Sequence, residues 1–177
     1  RTAQESLTLT AAAAVAVCRA VEEVCGVSLG IKWVNDLYLG ERKVCGILTE
    51  AVTDFETGDS ELVVVGIGLN LRMPAGGFPG ELSEVAGAIL GDDVYVDRNL
   101  LTAGIINYLL EEAEKEGIPE AYISRNIVPG RRVRVAYGTR VRSVEAEKIL
   151  PDGRLLVKNE QGEEEILPCG DVSLNLH

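Results

Sequence analysis

The sequence predicts an α+β fold, a mixed and largely antiparallel sheet packed with helices and followed by a small β-barrel. Three observations predict it. An alanine-rich amphipathic stretch opens the chain over residues 6–24, short β-rich segments broken by turn signals run from 30 to 73, and a strict two-residue period takes over from residue 131. With 177 residues and 46% hydrophobic content, the chain can bury one core of ordinary size and carry a small appendix.

The elements follow in order. Over 6–24 the small side chains, with Arg19, Glu22 and Glu23 gathered late, read as a helix that can approach a sheet closely, and Gly26 ends it. Strands are expected at about 30–34, 37–39, 43–52 and 61–73, with turn signals at 40–42 and 57–59, which makes an antiparallel meander. The loop 74–80, with three glycines and two prolines, cannot continue a strand. Helices are expected at about 81–90 and 97–116, the second capped by Asp97, and a short one at 119–125 with Pro119 in its first turn. Pro129-Gly130 marks the change of composition. Beyond it "RRVRVAY", "TRVRSVEAEKIL", "RLLVKN", "EEILP" and "DVSLNL" alternate, with turns at 137–139, 151–153 and 161–162. The predicted division is a domain over 1–128 and a small barrel over 129–177. A module of that size buries little alone and is expected to lean on the larger one.

Composition narrows the function. A balance of 28 acidic against 17 basic residues, −11 in all, does not attract nucleic acid or an anionic membrane over the surface as a whole. The most apolar stretch, 7–25, is interrupted by Thr8, Thr10, Arg19, Glu22 and Glu23, well short of the roughly 20 apolar residues that cross a bilayer. No signal-peptide pattern opens the chain. Cys18, Cys25, Cys45 and Cys169 show no CxxC spacing, and reduced, buried thiols in a cytoplasmic protein are the expectation. His177, the last residue, is the single histidine, so chemistry is expected to depend on Lys, Arg, Asp, Asn or the backbone.

One stretch stands out, "IKWVNDLYLGERKVCGILTEA", residues 31–51. Asn35-Asp36 fits a β-turn between two strands. With Lys32 on one side and Arg42-Lys43 in the next strand, it also fits a sheet edge where a carboxylate, a carboxamide and two ammonium groups position phosphate oxygens and a divalent metal. Gly46 reads as a bulge or close backbone approach, or as a place where a ligand lies flat on the strand. In "VVVGIGLNL", residues 63–71, Gly66 and Gly68 fall two apart and share a face that Asn70 continues, its amide suited to a flat polar ring. No dinucleotide fingerprint, phosphate loop or nucleophile elbow is present. Trp33 reads as a core or sheet-covering aromatic before a stacking platform. Arg131, Arg132, Arg134, Arg140 and Arg142 read as a solvated strand face, with contact to phosphates or an acidic carrier as the other reading.

The two motifs, the helix "LTLTAAAAVAVCRAVEEV" before them and the ending "GRRVRV…GRLLVKNEQGEEEILPCGDVSL" together resemble the biotin protein ligases, biotin–[acetyl-CoA-carboxylase] ligase, over most of the chain. The resemblance implies a class II synthetase-like ligase core with a small SH3-like C-terminal domain. It implies activation of biotin with ATP to biotinyl-5′-AMP and pyrophosphate, then transfer of biotin to a lysine of a biotin carboxyl carrier protein. By position it makes Lys43 the catalytic group that reaches the biotin carboxylate and the phosphate. Asp36 becomes the acidic group tied to the phosphates and to Mg2+. Lys32, Asn35 and Asn70 fall to the nucleotide, with Asn70 on the adenine side, and Gly46, Leu48, Gly66 and Gly68 to biotin. A homodimer is in keeping with the class by analogy. Val34 stands where the family usually has proline, and the family's Gly- and Arg-rich loop lies before the helix, where this sequence has no such segment, so an upstream portion is expected. A non-catalytic or regulatory part of such a ligase, including a biotin-responsive repressor, and a lipoate ligase relative are the alternatives.

Overall fold

The computed structural model describes residues 3–53, 60–137, 140–168 and 171–174. The expected turn at 57–59, part of the turn at 137–139, Cys169 and His177 lie outside them. The opening helix, α1, spans Ala3–Cys25, and its alanines 11–14 are wholly buried. It stops where Gly26, at φ +67°, donates its N–H to the Glu22 carbonyl at 3.1 Å, a conformation that glycine adopts without a Cβ clash.

Strands β1 (Gly30–Lys32), β2 (Asp36–Leu39), β3 (Arg42–Thr53) and β4 (Ser60–Leu69) pair in sequence order, all antiparallel. α1 covers one face of this sheet with Val15, Val17 and Val21 against Val44, Cys45 and Ile47, all within one continuous apolar cluster. The far edge of β1 is closed by residues 125–127: the Ile31 N–H donates to the Arg125 carbonyl at 2.9 Å, and Ile127 donates back to Ile31 at 2.8 Å.

Two expectations fail beyond β4, for one reason. The strand expected to reach Met73 ends at Leu69, and the helix expected at 81–90 shrinks to α2 (Leu82–Val85). Residues 86–90 are drawn out beside the sheet instead. Gly87 donates to the Lys43 carbonyl at 2.8 Å, Ile89 to Asn70 at 3.0 Å and Leu90 to Leu71 at 2.9 Å. Non-local backbone pairing outweighs local helix preference there. Gly87 makes it fit, because a Cβ at that position would stand 2.5 Å from the Arg42 Cβ.

α3 (Arg98–Ala113) is capped as expected: Asp97 accepts from the Asn99 and Leu100 N–H groups at 2.9 and 3.2 Å. It lies against α1 at a pair of small residues, where a Cβ on Gly104 would meet that of Ala20 at 3.4 Å. Arg19 on α1 bridges to Glu111 and Glu112 of α3 at 3.0 and 2.7 Å. α4 (Glu120–Ser124) follows, with Pro119 as its cap and not in its first turn.

The C-terminal strands β5 (Arg132–Tyr137), β6 (Arg140–Ile149), β7 (Leu155–Lys158), β8 (Glu164–Leu167) and β9 (Asp171–Leu174) form a second antiparallel sheet in the order β8-β7-β6-β5-β9. Val133, Val135, Val144, Leu155 and Val157 face inward and belong to the same apolar cluster as α1 and the first sheet. Among the basic residues of this sheet, Arg142 pairs with Glu165 at 2.5 Å, and Arg132 lies 3.8 Å from Glu160 on the surface. No helix among the described residues is long and apolar enough to cross a membrane.

Candidate functional site

β1 and β2 form a hairpin in which Lys32 stands opposite Asp36 across the turn Trp33-Val34-Asn35. Asn35 belongs to the turn, as its residue type favours. Its Nδ2 donates to the Ile47 carbonyl at 2.6 Å and its own carbonyl accepts from the Ile47 N–H at 2.9 Å, so its amide is committed to β3. Trp33 is buried, as expected of a core aromatic, and the Trp33–Val34 peptide is cis. Lys32 is also buried. Its Nζ lies 3.6 Å from Asp36 Oδ2 and 5.9 Å from the centre of the Tyr38 ring.

Lys43 reaches the same carboxylate through a bulge. Cys45 and Ile47 face the core, so an unbroken two-residue period would send Lys43 inward as well. Instead Leu37 pairs with Cys45 and Tyr38 with Lys43, leaving Val44 as the extra residue. Val44 turns into the core at 0% exposure, and Lys43 emerges on the opposite face. There its Nζ sits 2.6 Å from Asp36 Oδ1 while its side chain keeps 41% of its surface open. The bulge anticipated at Gly46 therefore lies two residues earlier. Gly46 itself stands opposite Asp36, and a Cβ on it would be 3.4 Å from Lys43 Nζ and 3.8 Å from Asp36 Oδ1. One carboxylate between two ammonium groups leaves a net positive charge at this edge of an acidic protein.

Beside the pair opens a cavity of about 290 Å³. Lys43, Cys45, Gly46, Gly68 and Asn70 line it from the sheet, and Gly46 and Gly68 are directly paired across β3 and β4, which makes a stretch of floor without side chains. Phe78, Leu82, Val85 and Ala86 form the facing wall. Asn70 is held by its N–H to the Val44 carbonyl at 2.8 Å and by Nδ2 to the Gly87 carbonyl at 3.1 Å. Through Asn70 and Phe78 the cavity borders a second one of about 450 Å³, which Tyr95 and Arg98 also line. Burial pushes the thiol of Cys45 up to about 12, and that of Cys18 likewise to about 12. Both stay protonated thiols.

Of the residues singled out in the sequence, Lys43, Asp36, Gly46, Gly68 and Asn70 come together. Leu48 and Gly66 pair with each other farther along the strands, on the exposed face beyond the cavity lining. Lys32 and Asn35 lie behind Asp36 and not at the cavity. The apolar wall was not foreseen. Its one local signal is Phe78, an aromatic residue inside a Gly/Pro loop that no strand or helix explains. For a divalent cation the donor set is poor: both Asp36 oxygens face ammonium groups, and among the described residues no three Asp, Glu, His or Cys side chains gather to hold a metal.

Known proteins resemble this chain in sequence and in fold. The model of the Biotin/lipoate A/B protein ligase family matches residues 2–70, which include every candidate residue. The bifunctional ligase/repressor BirA of Bacillus subtilis is 36% identical over 115 residues, 63% of this chain and 33% of that protein. The Escherichia coli BirA is 35% identical over 106 residues, 54% of this chain and 29% of that protein. The chain thus spans about a third of the length of the curated relatives it matches. Among solved structures, biotin protein ligase from Aquifex aeolicus superposes with a TM-score of 0.78 at 25% identity, covering 97% of this chain and 75% of that one. The same ligase in complex with biotin and ATP gives 0.75 at 25% identity over 96% of this chain and 71% of that one. Together the matched segment, the BirA relatives and the ligase fold support a biotin protein ligase family member, of whose catalytic part this chain carries a portion.

Proposed function

We propose that this chain is the part of a biotin protein ligase in which the carboxylate of biotin is joined to AMP, ahead of transfer of the biotinyl group to a lysine of a biotin carboxyl carrier protein. The observation that carries the reading is Lys43 Nζ, 2.6 Å from Asp36 and open at the mouth of a cavity floored by Gly46 and Gly68. Biotin lies along the bare floor, with Leu48 and Gly66 continuing the same face, and the adenine end of the nucleotide lies towards Asn70. In the first step the biotin carboxylate attacks the α-phosphorus of ATP, an acyl–phosphate bond forms and the bond to pyrophosphate breaks. Lys43 stabilises the negative charge gathering on the phosphoryl oxygens, which is the larger part of what a protein contributes to such a transfer. Asp36 holds Lys43 in place, and Lys32, buried behind it, contacts the other carboxylate oxygen. In the second step the carrier's lysine amine attacks the acyl carbonyl, AMP leaves and the amine gives up a proton. Asn35 acts through the turn it fastens.

Mg2+, implied by the resemblance, finds no protein-built cage at Asp36, and no step is derived through it. The domain division at 128/129 and the SH3-like character of the C-terminal sheet belong to the same proposal. The test is biotin-dependent exchange of labelled pyrophosphate into ATP by the full-length protein. Lys43→Ala should lower it by at least about 10²-fold, in the range of a lost charge-stabilising donor. Exchange unchanged in that variant would refute the assignment.

A further inference from the structure

Two hydrogen bonds from distant parts of the chain converge on the turn that carries Asp36. The Trp33 indole N–H donates to the Gly153 carbonyl at 2.8 Å, and the Tyr122 hydroxyl donates to the Val34 carbonyl at 2.8 Å. The partners lie 120 and 88 residues away in sequence. Each of the three turn residues is thus fastened to a different element: Trp33 to the C-terminal sheet, Val34 to α4 and Asn35 to β3.

The hairpin needs such support. Its strands have only three and four residues, so few ladder hydrogen bonds flank the turn, and β3 supports it from the β2 side alone. The supports are themselves rigid. Gly153, at φ +83°, closes the β6–β7 turn by donating to Leu150 at 2.8 Å, and Arg154 grips Asp152 at 2.6 Å. A Cβ on Gly153 would lie 2.9 Å from Ile118 Cδ1 and 3.1 Å from Leu7 Cδ2, so the tip of the turn is wedged between α1 and the segment before α4. Tyr122 is wholly buried, and burial pushes its phenol upward, which keeps the hydroxyl a donor. Asp36 follows this turn directly, and its two oxygens must meet two lysines at once.

We propose that Tyr122 and Gly153 are positioning residues for the Asp36–Lys43 pair, with α4 and the C-terminal sheet clamping the Trp33–Asn35 turn from two sides. The inference rests on the adenylation reading above. It gives the C-terminal sheet a part in the first chemical step through one backbone carbonyl and without contact to substrate.

The test uses the full-length protein and biotin-dependent pyrophosphate exchange. Tyr122→Phe deletes one hydroxyl, and Trp33→Phe deletes the donor to Gly153. Each should lower kcat about tenfold, about 1.4 kcal/mol, and change KM for biotin less than about twofold. In a chain already carrying Asp36→Asn, neither should cost anything further, because both act through that carboxylate. Trp33 is the chain's single tryptophan, so its emission reports the turn directly and should shift to the red in Tyr122→Phe. A fall in Tm with kcat unchanged, or losses that multiply with Asp36→Asn, would overturn the proposal and leave Lys43 in its role. Exchange that survives Lys43→Ala would overturn the adenylation reading and this inference with it.

Discussion

Gly46→Ala separates stability from activity, because the two should move in opposite directions. Gly46 sits within β3 with extended backbone, where an alanine fits without strain. Replacing glycine at such a position raises stability by about 0.4–1 kcal/mol, chiefly by restricting the unfolded chain. For a protein of this size that is about 1–4 °C in Tm. The new methyl would stand 3.4 Å from Lys43 Cε and Nζ, an ammonium group at the end of a flexible and half-open side chain that can shift by the few tenths of an ångström required. It would also rise from the floor of the cavity directly opposite Asp36. A ligand lying on that floor would be lifted by about 1 Å, and a displacement of that size costs up to about 10²-fold in rate. Thermal melting followed by fluorescence, run beside pyrophosphate exchange on the same preparations, gives both numbers. A variant that melts higher and works normally would show that nothing lies on Gly46. A variant that melts lower in proportion to its lost activity would show that the glycine serves the fold.

Asp36→Asn should lower both exchange and Tm, the latter by about 1–3 kcal/mol of stability, because the buried Lys32 ammonium loses its counter-charge. Adding Lys32→Met should return most of the Tm and none of the exchange; if exchange returns as well, Asp36 acts only on the fold. The buried thiols give a pH prediction. Cys18 and Cys45 are raised from about 9 to about 12 by burial, so the native state keeps protons that the unfolded chain releases. Their contribution to stability is whole below pH 9 and is lost as the pH climbs from 9 towards 12. Alkylation of the native protein at pH 8, mapped by mass spectrometry, should therefore reach the partly exposed Cys25 before either, and early labelling of Cys45 would contradict the packing described.

What could be read in the sequence was whatever depends on neighbours within a few residues. The alanine helix, the Asp97 cap and the five alternating C-terminal strands are local patterns, and they stand. So does the shared face of Gly66 and Gly68, which follows from the period of a strand alone. The bulge at Val44 could not be read, because an apolar residue between Lys43 and Cys45 satisfies either face until the register with β2 is known. The segment 86–90 looks helical in isolation, and only the free carbonyls of Lys43, Asn70 and Leu71 draw it out. Tyr122 gives no sequence signal at all. Its partner is a backbone carbonyl 88 residues away, and backbone carbonyls leave no mark on a sequence.

The charge balance shows why one inserted residue matters so much. With a net −11, the surface as a whole repels both ATP and the biotin carboxylate. At physiological ionic strength that repulsion fades over about 8 Å, so the last few ångströms decide whether two anions can meet. Within that distance the site offers two ammonium groups against one carboxylate, and only because Val44 turns inward does the second ammonium face the cavity. Without the bulge, Lys43 would be an unpaired cation in the apolar core and Asp36 would answer Lys32 alone. The fold would lose stability and the anions their attraction by the same slip of register, which ties the chemistry of the site to the strand pairing that builds it.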